Sequence, residues 1–317
     1  MLRTAYDLLK QTVSEWLDDK APSRGAALAY YSMFAIAPII LLAISLAGLI
    51  YGEDAAKGKV ADQVRGTIGP EVADAVESLV RSASNPTSSK LAAAVGLGIA
   101  LFGAAGVFIE LQDALNTLWK VTPRPGRPIM GVIRERFFSF AMVLSTGFLL
   151  LVSLVLSAAL SAVANFLTPE SLPGGAWLWQ AVNGLVSFAF ITLLFALIFK
   201  VVPDVHVPWR DVWLGAALTS LLFTVGKHLL AIYLTRTGVA SAYGAAGSLA
   251  VVLVWVYYSA QILLFGAEFT RVQACRTGVE CAPARSAVPL TPEAQTRQGM
   301  GRRALAEAET ANAQGAF

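Results

Sequence analysis

The stretch AYGAAGSLAVVLVWVYYSAQILLFGAEFTRV, Ala242 to Val272, carries the information that decides the fold. It is almost entirely apolar, and its only charged residues, Glu268 and Arg271, lie close to its end. A helix that crosses a lipid bilayer needs about 20 mostly apolar residues. The stretch therefore predicts a transmembrane helix over Tyr243–Phe269.

The composition of the whole chain also indicates a membrane protein. Of its 317 residues, 56% are hydrophobic and only 14% are charged, and the mean hydropathy is +0.61. A soluble domain carries about 25% charged residues, so this chain lacks the polar side chains that would cover a water-facing globule. The net charge of +3 is small, and in a membrane protein such an excess indicates basic cytoplasmic loops rather than nucleic-acid binding.

Five further runs are long enough to cross a bilayer. Together with the first stretch they give six predicted spans, which are Ala26–Tyr51, Leu91–Trp119, Phe137–Phe166, Trp177–Val202, Val212–Leu234 and Tyr243–Phe269. We therefore predict an all-α, polytopic membrane protein with six transmembrane helices and amphipathic helices at the membrane interface.

The polar segments complete the predicted domain organisation. Residues 1–25 are predicted to form a cytoplasmic amphipathic helix, because apolar residues recur on one face at helical spacing, namely Leu2, Tyr6, Leu9, Val13, Trp16 and Leu17. Residues 26–272 form the membrane domain, with a helical outside loop at 52–90. Residues 273–317 are rich in Ala, Gly, Pro and charge and are predicted to be a disordered cytoplasmic tail.

The distribution of basic residues predicts the orientation. When the N-terminus is placed in the cytoplasm, most Lys and Arg residues fall in inside segments, and the outside loop at 167–176 contains none. Cytoplasmic loops carry this excess of Lys and Arg. Both termini are therefore expected in the cytoplasm.

Two carboxylates occur in the stretch FIELQDALNTLW, Phe108 to Trp119, at the end of the second predicted span. Glu110 and Asp113 are three residues apart and share one helix face. If the span is counted from Leu91, this is the point where a helix meets water. If it is counted back from Trp119, the carboxylates lie deeper and need cationic partners.

Further polar residues predict where such partners lie. Tyr257, Gln261 and Glu268 fall on one stripe of the sixth span, and Arg24 and Arg271 lie at inner helix ends. We expect the acidic residues of both spans to gather near these arginines. The predicted polar lock or transport path therefore consists of Glu110, Asp113, Gln261, Glu268, Tyr257, Arg24 and Arg271.

No catalytic or metal-binding motif is evident. The chain has only two histidines, His206 and His228, far apart in the predicted topology, whereas a two-metal nuclease needs clustered His and Asp ligands. We expect no enzymatic activity, no catalytic residue, no cofactor, no metal and no nucleic-acid partner. The expected partners are membrane lipids and further copies of the chain.

Four stretches resemble the YihY/BrkB membrane-protein family. They are RGAALAYYSMFAIAPII (Arg24–Ile40), FIELQDALNTLW (Phe108–Trp119), KVVPDVHVPWRDVWLGA (Lys200–Ala216) and the stretch Ala242–Val272. The likeness covers about Trp16 to Val272. The resemblance implies a six-helix protein of the bacterial inner membrane, in a family whose members have carried the labels ribonuclease BN and virulence factor for serum resistance.

Three functions follow from these observations. The leading one is a transporter or flippase, because polar residues at membrane depth are expensive and commonly mark transport paths. The resemblance implies an envelope lipid or another amphiphile as its substrate. The alternative is a non-transporting membrane scaffold or, as the resemblance implies, a virulence or serum-resistance factor. A ribonuclease is the least favoured, because the chain lacks the ligands that such chemistry needs.

Overall fold

The computed structural model describes residues 2–35, 65, 73–74, 106–124, 175–238, 243, 246–276, 282–284, 287–291, 294–295 and 298. Helices dominate this part of the chain. They are α1 (Leu2–Asp18), α2 (21–35), α3 (106–118), α4 (Gly175–Val201), α5 (Trp209–Thr237) and α6 (Gly247–Arg276). Two short strands, β1 (Val121–Pro123) and β2 (Ala287–Pro289), pair in antiparallel fashion.

Three of the described helices are long and apolar enough to cross a membrane. They cover Gly184–Val201, Trp209–Thr237 and Gly247–Arg276, which correspond to the fourth, fifth and sixth predicted spans. The third predicted span, Phe137–Phe166, lies outside the described residues, as does most of the first two spans and of the loop at 52–90. The total of six spans therefore stays a prediction.

Local sequence signals set both ends of α5. Pro208 precedes the helix with an extended backbone, which suits a residue that lacks an N–H group. Gly238 follows the last turn with φ 60°, the left-handed conformation that ends many helices. Asp211 in the first turn and Arg236 in the last turn carry charges that oppose the helix dipole.

Small residues let α5 and α6 approach closely. A Cβ atom on Gly215 would overlap the Thr270 hydroxyl, and a Cβ atom on Gly266 would overlap the Thr219 hydroxyl. Both hydroxyls also donate to their own helix, at the carbonyl four residues earlier. Small residues at four-residue spacing are typical of helix contacts inside membranes, and the sequence shows that spacing at Gly215 and Thr219.

The main hydrophobic core lies at one end of the bundle, which we call the charged end. Here α4 ends at Val201, α5 begins at Trp209 and α6 ends at Arg276. The buried side chains include Leu115 and Leu118 of α3, with Phe199, Val212 and Leu264 from the three long helices. The apolar face of α3 is thus enclosed by protein, and Trp119, which follows α3, is buried as well.

The C-terminal segment packs on the charged end, whereas the sequence predicts disorder from residue 273. Helix α6 continues to Arg276, β2 pairs with β1, and Pro283 forms an isolated bridge with Val205. The Leu290 N–H donates to the Lys120 carbonyl at 2.7 Å. Residues 282–291 therefore depart from the predicted disordered tail wherever the structure describes them, and the short sheet departs from a purely all-α fold.

The register of the two strands explains why proline is tolerated in both. Lys120 and Leu290 form a hydrogen-bonded pair. Hydrogen-bonded and non-hydrogen-bonded pairs alternate along an antiparallel ladder, so the pair next to this one, and every second pair after it, is non-hydrogen-bonded. Pro289 pairs with Val121 and Pro123 pairs with Ala287, and both pairs are non-hydrogen-bonded. Neither ring therefore removes a ladder hydrogen bond.

Helix α1 has the predicted amphipathic character, with its polar face towards α6. The Arg276 guanidinium donates to the Gln11 side chain at 2.8 Å, and Thr12 is fully buried. The apolar stripe of Tyr6, Leu9, Val13 and Leu17 is exposed. In the described residues, α1 is thus held to the bundle through its polar face and leaves its apolar stripe uncovered.

Candidate functional site

Five charged residues come together at the charged end. Three are carboxylates, Glu15, Asp19 and Glu268, and two are cationic, Lys120 and Arg271. They come from the end of α1, the turn that follows it, the turn after α3, and the last turns of α6. We call this group the charged cluster.

Arg271 connects α6 to α1. Its Nη2 atom donates to Glu268 Oε1 at 2.5 Å and to Glu15 Oε2 at 2.8 Å, and its Nε atom donates to Glu268 Oε1 at 2.9 Å. Glu268 is fully buried, whereas the side chain of Glu15 is 34% exposed. One guanidinium therefore joins a buried carboxylate to one that reaches solvent.

Asp19 lies in the turn between α1 and α2 and forms an ion pair with Lys120. Its side chain is only 1% exposed. Burial raises the pKa of the Asp19 carboxyl above its usual value, and the nearby Lys120 ammonium opposes that rise. Lys120 has φ 55°, a left-handed backbone, so the chain accepts a strained residue at this position.

Two carboxylate oxygens of the charged cluster are buried without a donor. Among the residues that the structure describes, Asp19 Oδ2 and Glu268 Oε2 accept no hydrogen bond. One oxygen from each of Glu15, Asp19 and Glu268 lies within 4.8 Å of the other two. A buried charged oxygen without a partner is costly, so these atoms distinguish the cluster from an ordinary ion-pair network.

A separate ion pair, outside the charged cluster, joins α2 to α3. Arg24 Nη1 donates to Asp113 Oδ2 at 3.2 Å, and Arg24 Nη2 donates to Gln298 Oε1 at 3.3 Å. The Asp113 side chain is 62% exposed, and an exposed pair contributes little to stability. Asp113 therefore occupies a position typical of a helix end that meets water.

The predicted site residues are thus divided between two groups. The structure brings Glu268 to Arg271 and Asp113 to Arg24, but no described hydrogen bond or ion pair joins these two pairs. Glu110 is half-buried one turn before Asp113. The charged residues that act on Glu268 are Arg271, Asp19 and Lys120.

Gln261 and Tyr257 lie in different surroundings, although they share a stripe of α6. Gln261 Nε2 donates to the Pro22 carbonyl at 3.3 Å and occupies the space beside Gly25. Tyr257 is exposed. Gln261 is therefore a contact between α6 and α2, and Tyr257 lies on the outside of the described bundle.

Another polar contact at the charged end joins α3 to the loop between α4 and α5. Asn116 Nδ2 donates to Asp204 Oδ2 at 3.0 Å, and Asn116 Oδ1 accepts the Asp204 N–H at 2.7 Å. Gln112 Nε2 also donates to Asp204 Oδ2, at 3.3 Å. The two amides of the FIELQDALNTLW stretch therefore fix this loop.

Sequence reasoning missed Glu15, Asp19 and Lys120 as members of the cluster. Each lies in a polar segment beside a helix end, where charged residues are usually solvated. A usable signal for Asp19 is its place in a short turn between two helices. For Lys120, the run from Leu118 to Lys120 gives no comparable signal, because only the tertiary contact with Asp19 distinguishes it.

The fold and the composition together define a helical membrane protein. Its described part contains three apolar helices long enough to cross a bilayer and a buried charged cluster at one end. A model of the family described as Virulence factor BrkB matches residues 12–290. The chain belongs to this family, as the resemblance implies. The match includes the C-terminal strand β2.

Relatives of known name support the same assignment. The chain is 29% identical over 254 residues to a UPF0761 membrane protein of Pseudomonas aeruginosa (strain LESB58), which covers 80% of this chain and 59% of the relative. It is 30% identical over 268 residues to a UPF0761 membrane protein of Alcanivorax borkumensis, covering 82% of this chain and 58% of the relative. A UPF0761 membrane protein of Alteromonas mediterranea is 27% identical over 266 residues and is covered to 86%.

The chain thus spans about three fifths of the length of the first relatives that it matches. No solved structure matches it. The family description and these names give no enzymatic activity and no substrate.

Proposed function

We propose that this protein is a transporter or flippase that moves an envelope lipid or another amphiphile across the bacterial inner membrane, with both termini in the cytoplasm. One observation carries the proposal. Glu268 is fully buried in a helix long enough to cross the membrane, and it is bound to Arg271, while its Oε2 atom accepts no hydrogen bond from any residue that the structure describes. Buried ionisable groups in membrane helices commonly lie on substrate or ion paths.

The exposed stripe of α1 supports an amphiphilic substrate. Tyr6, Leu9, Val13 and Leu17 are uncovered, while the opposite face of the helix contacts α6. An amphipathic helix of this kind lies at the boundary between headgroups and acyl chains. In this proposal α1 lies in the cytoplasmic leaflet, and its residue Glu15 connects the helix to the charged cluster through Arg271.

Lipid scrambling in proteoliposomes tests the proposal. The purified chain is reconstituted in phosphatidylethanolamine and phosphatidylglycerol vesicles containing a trace of a fluorescent phosphatidylethanolamine, and dithionite bleaches the outer leaflet. The active protein is expected to increase the bleached fraction beyond one half. The Glu268→Gln variant is expected to scramble at least ten times more slowly, because it loses the buried charge.

A matched variant controls for the loss of a negative charge. Asp7→Asn removes a carboxylate from the exposed part of α1 and is expected to scramble like the unaltered protein. Circular dichroism and size-exclusion profiles establish that each variant is folded. Bleaching that stops at one half for the folded, unaltered protein in such vesicles and in vesicles of extracted bacterial lipid would refute the transport proposal.

A scaffold is the second candidate, and a different observation favours it. The C-terminal segment pairs with β1, and Asn116 ties α3 to the loop at Asp204, so several segments are fixed together across the charged end. Contacts that fix several segments together suit a helix bundle that keeps one conformation. A scaffold predicts that Glu268→Gln lowers thermal stability but that no lipid flux is found for any folded form.

A further inference from the structure

The charge balance of the charged cluster is incomplete. Three carboxylates, Glu15, Asp19 and Glu268, face two cationic side chains, Lys120 and Arg271. The charged groups that act on Asp19 are Lys120, Arg271 and Glu15, and those that act on Glu268 are Arg271, Asp19 and Lys120. Among the described residues, one negative charge is therefore left without compensation in a site where two of the carboxylates are buried.

The hydrogen-bond pattern shows where the missing charge belongs. Lys120 binds one oxygen of Asp19, and Arg271 binds one oxygen of Glu268. The second oxygen of each carboxylate, Asp19 Oδ2 and Glu268 Oε2, is buried and accepts no hydrogen bond from the described part of the chain. Both side chains are more than nine-tenths buried, so bulk solvent does not stabilise these oxygens.

The spacing of the three acids fits one ion. One oxygen from each of Glu15, Asp19 and Glu268 lies within 4.8 Å of the others. Oxygen ligands lie about 2.3–2.6 Å from Ca²⁺, an ion close in size to Na⁺, so two oxygens on one such ion are at most about 5 Å apart. The half-exposed Glu15 gives an ion access from solvent.

We propose that Glu15, Asp19 and Glu268 form a cation site that binds Na⁺. A monovalent ion neutralises the single excess charge, whereas a divalent ion would leave the cluster positive beside Lys120 and Arg271. The ion takes one oxygen from each of Glu15, Asp19 and Glu268, and water completes its shell. Because the ligands come from α1, the turn after it and α6, the bound ion fastens α1 to the end of α6.

The proposal stands without transport, because binding is measured directly. The full chain is purified in detergent and exchanged into choline chloride. The temperature of unfolding, Tm, is followed by tryptophan fluorescence during titration with NaCl, KCl, CaCl₂ or MgCl₂ at constant ionic strength and pH. A ligand that binds only the folded state raises Tm as its concentration passes the dissociation constant.

A saturating rise of Tm with NaCl, reached at lower concentration than with KCl, is the expected result. Glu15→Gln is expected to raise the half-saturating Na⁺ concentration at least tenfold and to fold, because Glu15 is half-exposed. Asp19→Asn and Glu268→Gln are expected to abolish the saturating phase. Asp7→Asn, which removes an exposed carboxylate of the same helix, is expected to titrate like the unaltered protein.

Three results would overturn the site. The first is a Tm that is equal in all four salts and changes only with pH, which would mean that a proton supplies the missing charge. The second is saturation by CaCl₂ or MgCl₂ alone. The third is a Na⁺ response that Glu15→Gln leaves unchanged. Failed lipid scrambling beside a normal Na⁺ titration would refute transport and leave the cation site intact.

Discussion

The hydroxyl of Thr219 on α5 lies where the side chain of any larger residue at Gly266 on α6 would begin. The contact is repeated four residues away, where the Thr270 hydroxyl fills the corresponding space beside Gly215. Each helix thus presents a glycine to the threonine of the other. Close approach of this kind adds van der Waals contact, which is a main source of helix association in a membrane.

Gly266→Ala is therefore expected to destabilise the protein. The added methyl group meets buried atoms of Thr219, and overpacking of this kind costs about 1–3 kcal/mol. The measurement is Tm in detergent by tryptophan fluorescence. Gly184→Ala on α4 is the matched control, because no atom of the described residues lies within 4 Å of its added methyl group. It is expected to keep or slightly raise Tm, since alanine favours helix by about 1 kcal/mol over glycine.

A double variant tests the cause of this loss. Thr219→Gly removes the atoms that the new methyl group meets, so Gly266→Ala combined with Thr219→Gly is expected to lose less than the sum of the single changes. If the loss of the double variant equals the sum of the two single losses, the two positions are not coupled, and the two residues do not touch.

Asn116→Ala is expected to loosen the loop between α4 and α5. The change removes both hydrogen bonds to Asp204, and Asn116 is buried, so the expected loss is about 1–3 kcal/mol. Gln112→Ala removes a single bond of 3.3 Å and is expected to cost less than half as much. Hydrogen exchange of the Asp204 amide, read by mass spectrometry, should quicken in the first variant. Equal effects of the two variants would contradict this account.

Two lysines with the same backbone strain are expected to respond in opposite directions. Lys20 and Lys120 both have φ 55°. Glycine relieves a strain of about 1–2 kcal/mol at such a position. Lys20 is exposed, and Lys20→Gly should therefore raise Tm.

Lys120→Gly should lower Tm despite the same relief, because it leaves the buried Asp19 without its ion-pair partner. Removing one partner of a buried pair costs about 3–5 kcal/mol. Because Lys120 is 24% exposed, we expect the loss of stability to lie in the lower part of that range. The relief of backbone strain then reduces this loss. A rise of Tm in both variants would mean that the Asp19–Lys120 pair does not stabilise the fold.

Disulfide trapping tests the pairing of the C-terminal segment. In a background with Cys275→Ser and Cys281→Ser, the pair Thr122→Cys and Val288→Cys occupies facing positions of β1 and β2. Facing Cβ atoms are about 4.5–5.5 Å apart, a little wider than the roughly 3.5–4.5 Å of a disulfide, so a small shift of the strands should let this pair cross-link under mild oxidation. Thr122→Cys with Ala287→Cys is shifted by one residue, which turns the side chains to opposite faces. Equal yields from both pairs would contradict the register.

Parts of the fold could be predicted from the sequence because they depend on local properties. The apolar runs over Trp177–Val202, Val212–Leu234 and Tyr243–Phe269 predict helices that the structure shows with ends differing by one to seven residues. The 3.6-residue spacing in α1 likewise predicts an amphipathic helix. Length and periodicity were sufficient here, since a helix satisfies its backbone hydrogen bonds within itself.

The candidate site could be predicted only in part. Arg271 and Glu268 are three residues apart on one helix, so their pairing follows from helix geometry. Glu15 comes to Arg271 from 256 residues away, and Lys120 comes to Asp19 from 101 residues away. No local pattern contains such contacts, and the sequence alone led us to group Glu110 and Asp113 with Glu268 instead.

The sequence by itself determined that this chain is a helical membrane protein, because hydrophobicity, period and charge bias are properties of single segments. Only the tertiary structure decided which polar residues are buried together. It paired Asp19 with Lys120, Glu15 with Arg271, and β2 with β1. Burial depends on which segments pack together, and the electrostatic cost of a buried carboxylate depends on the partners that this packing brings to it.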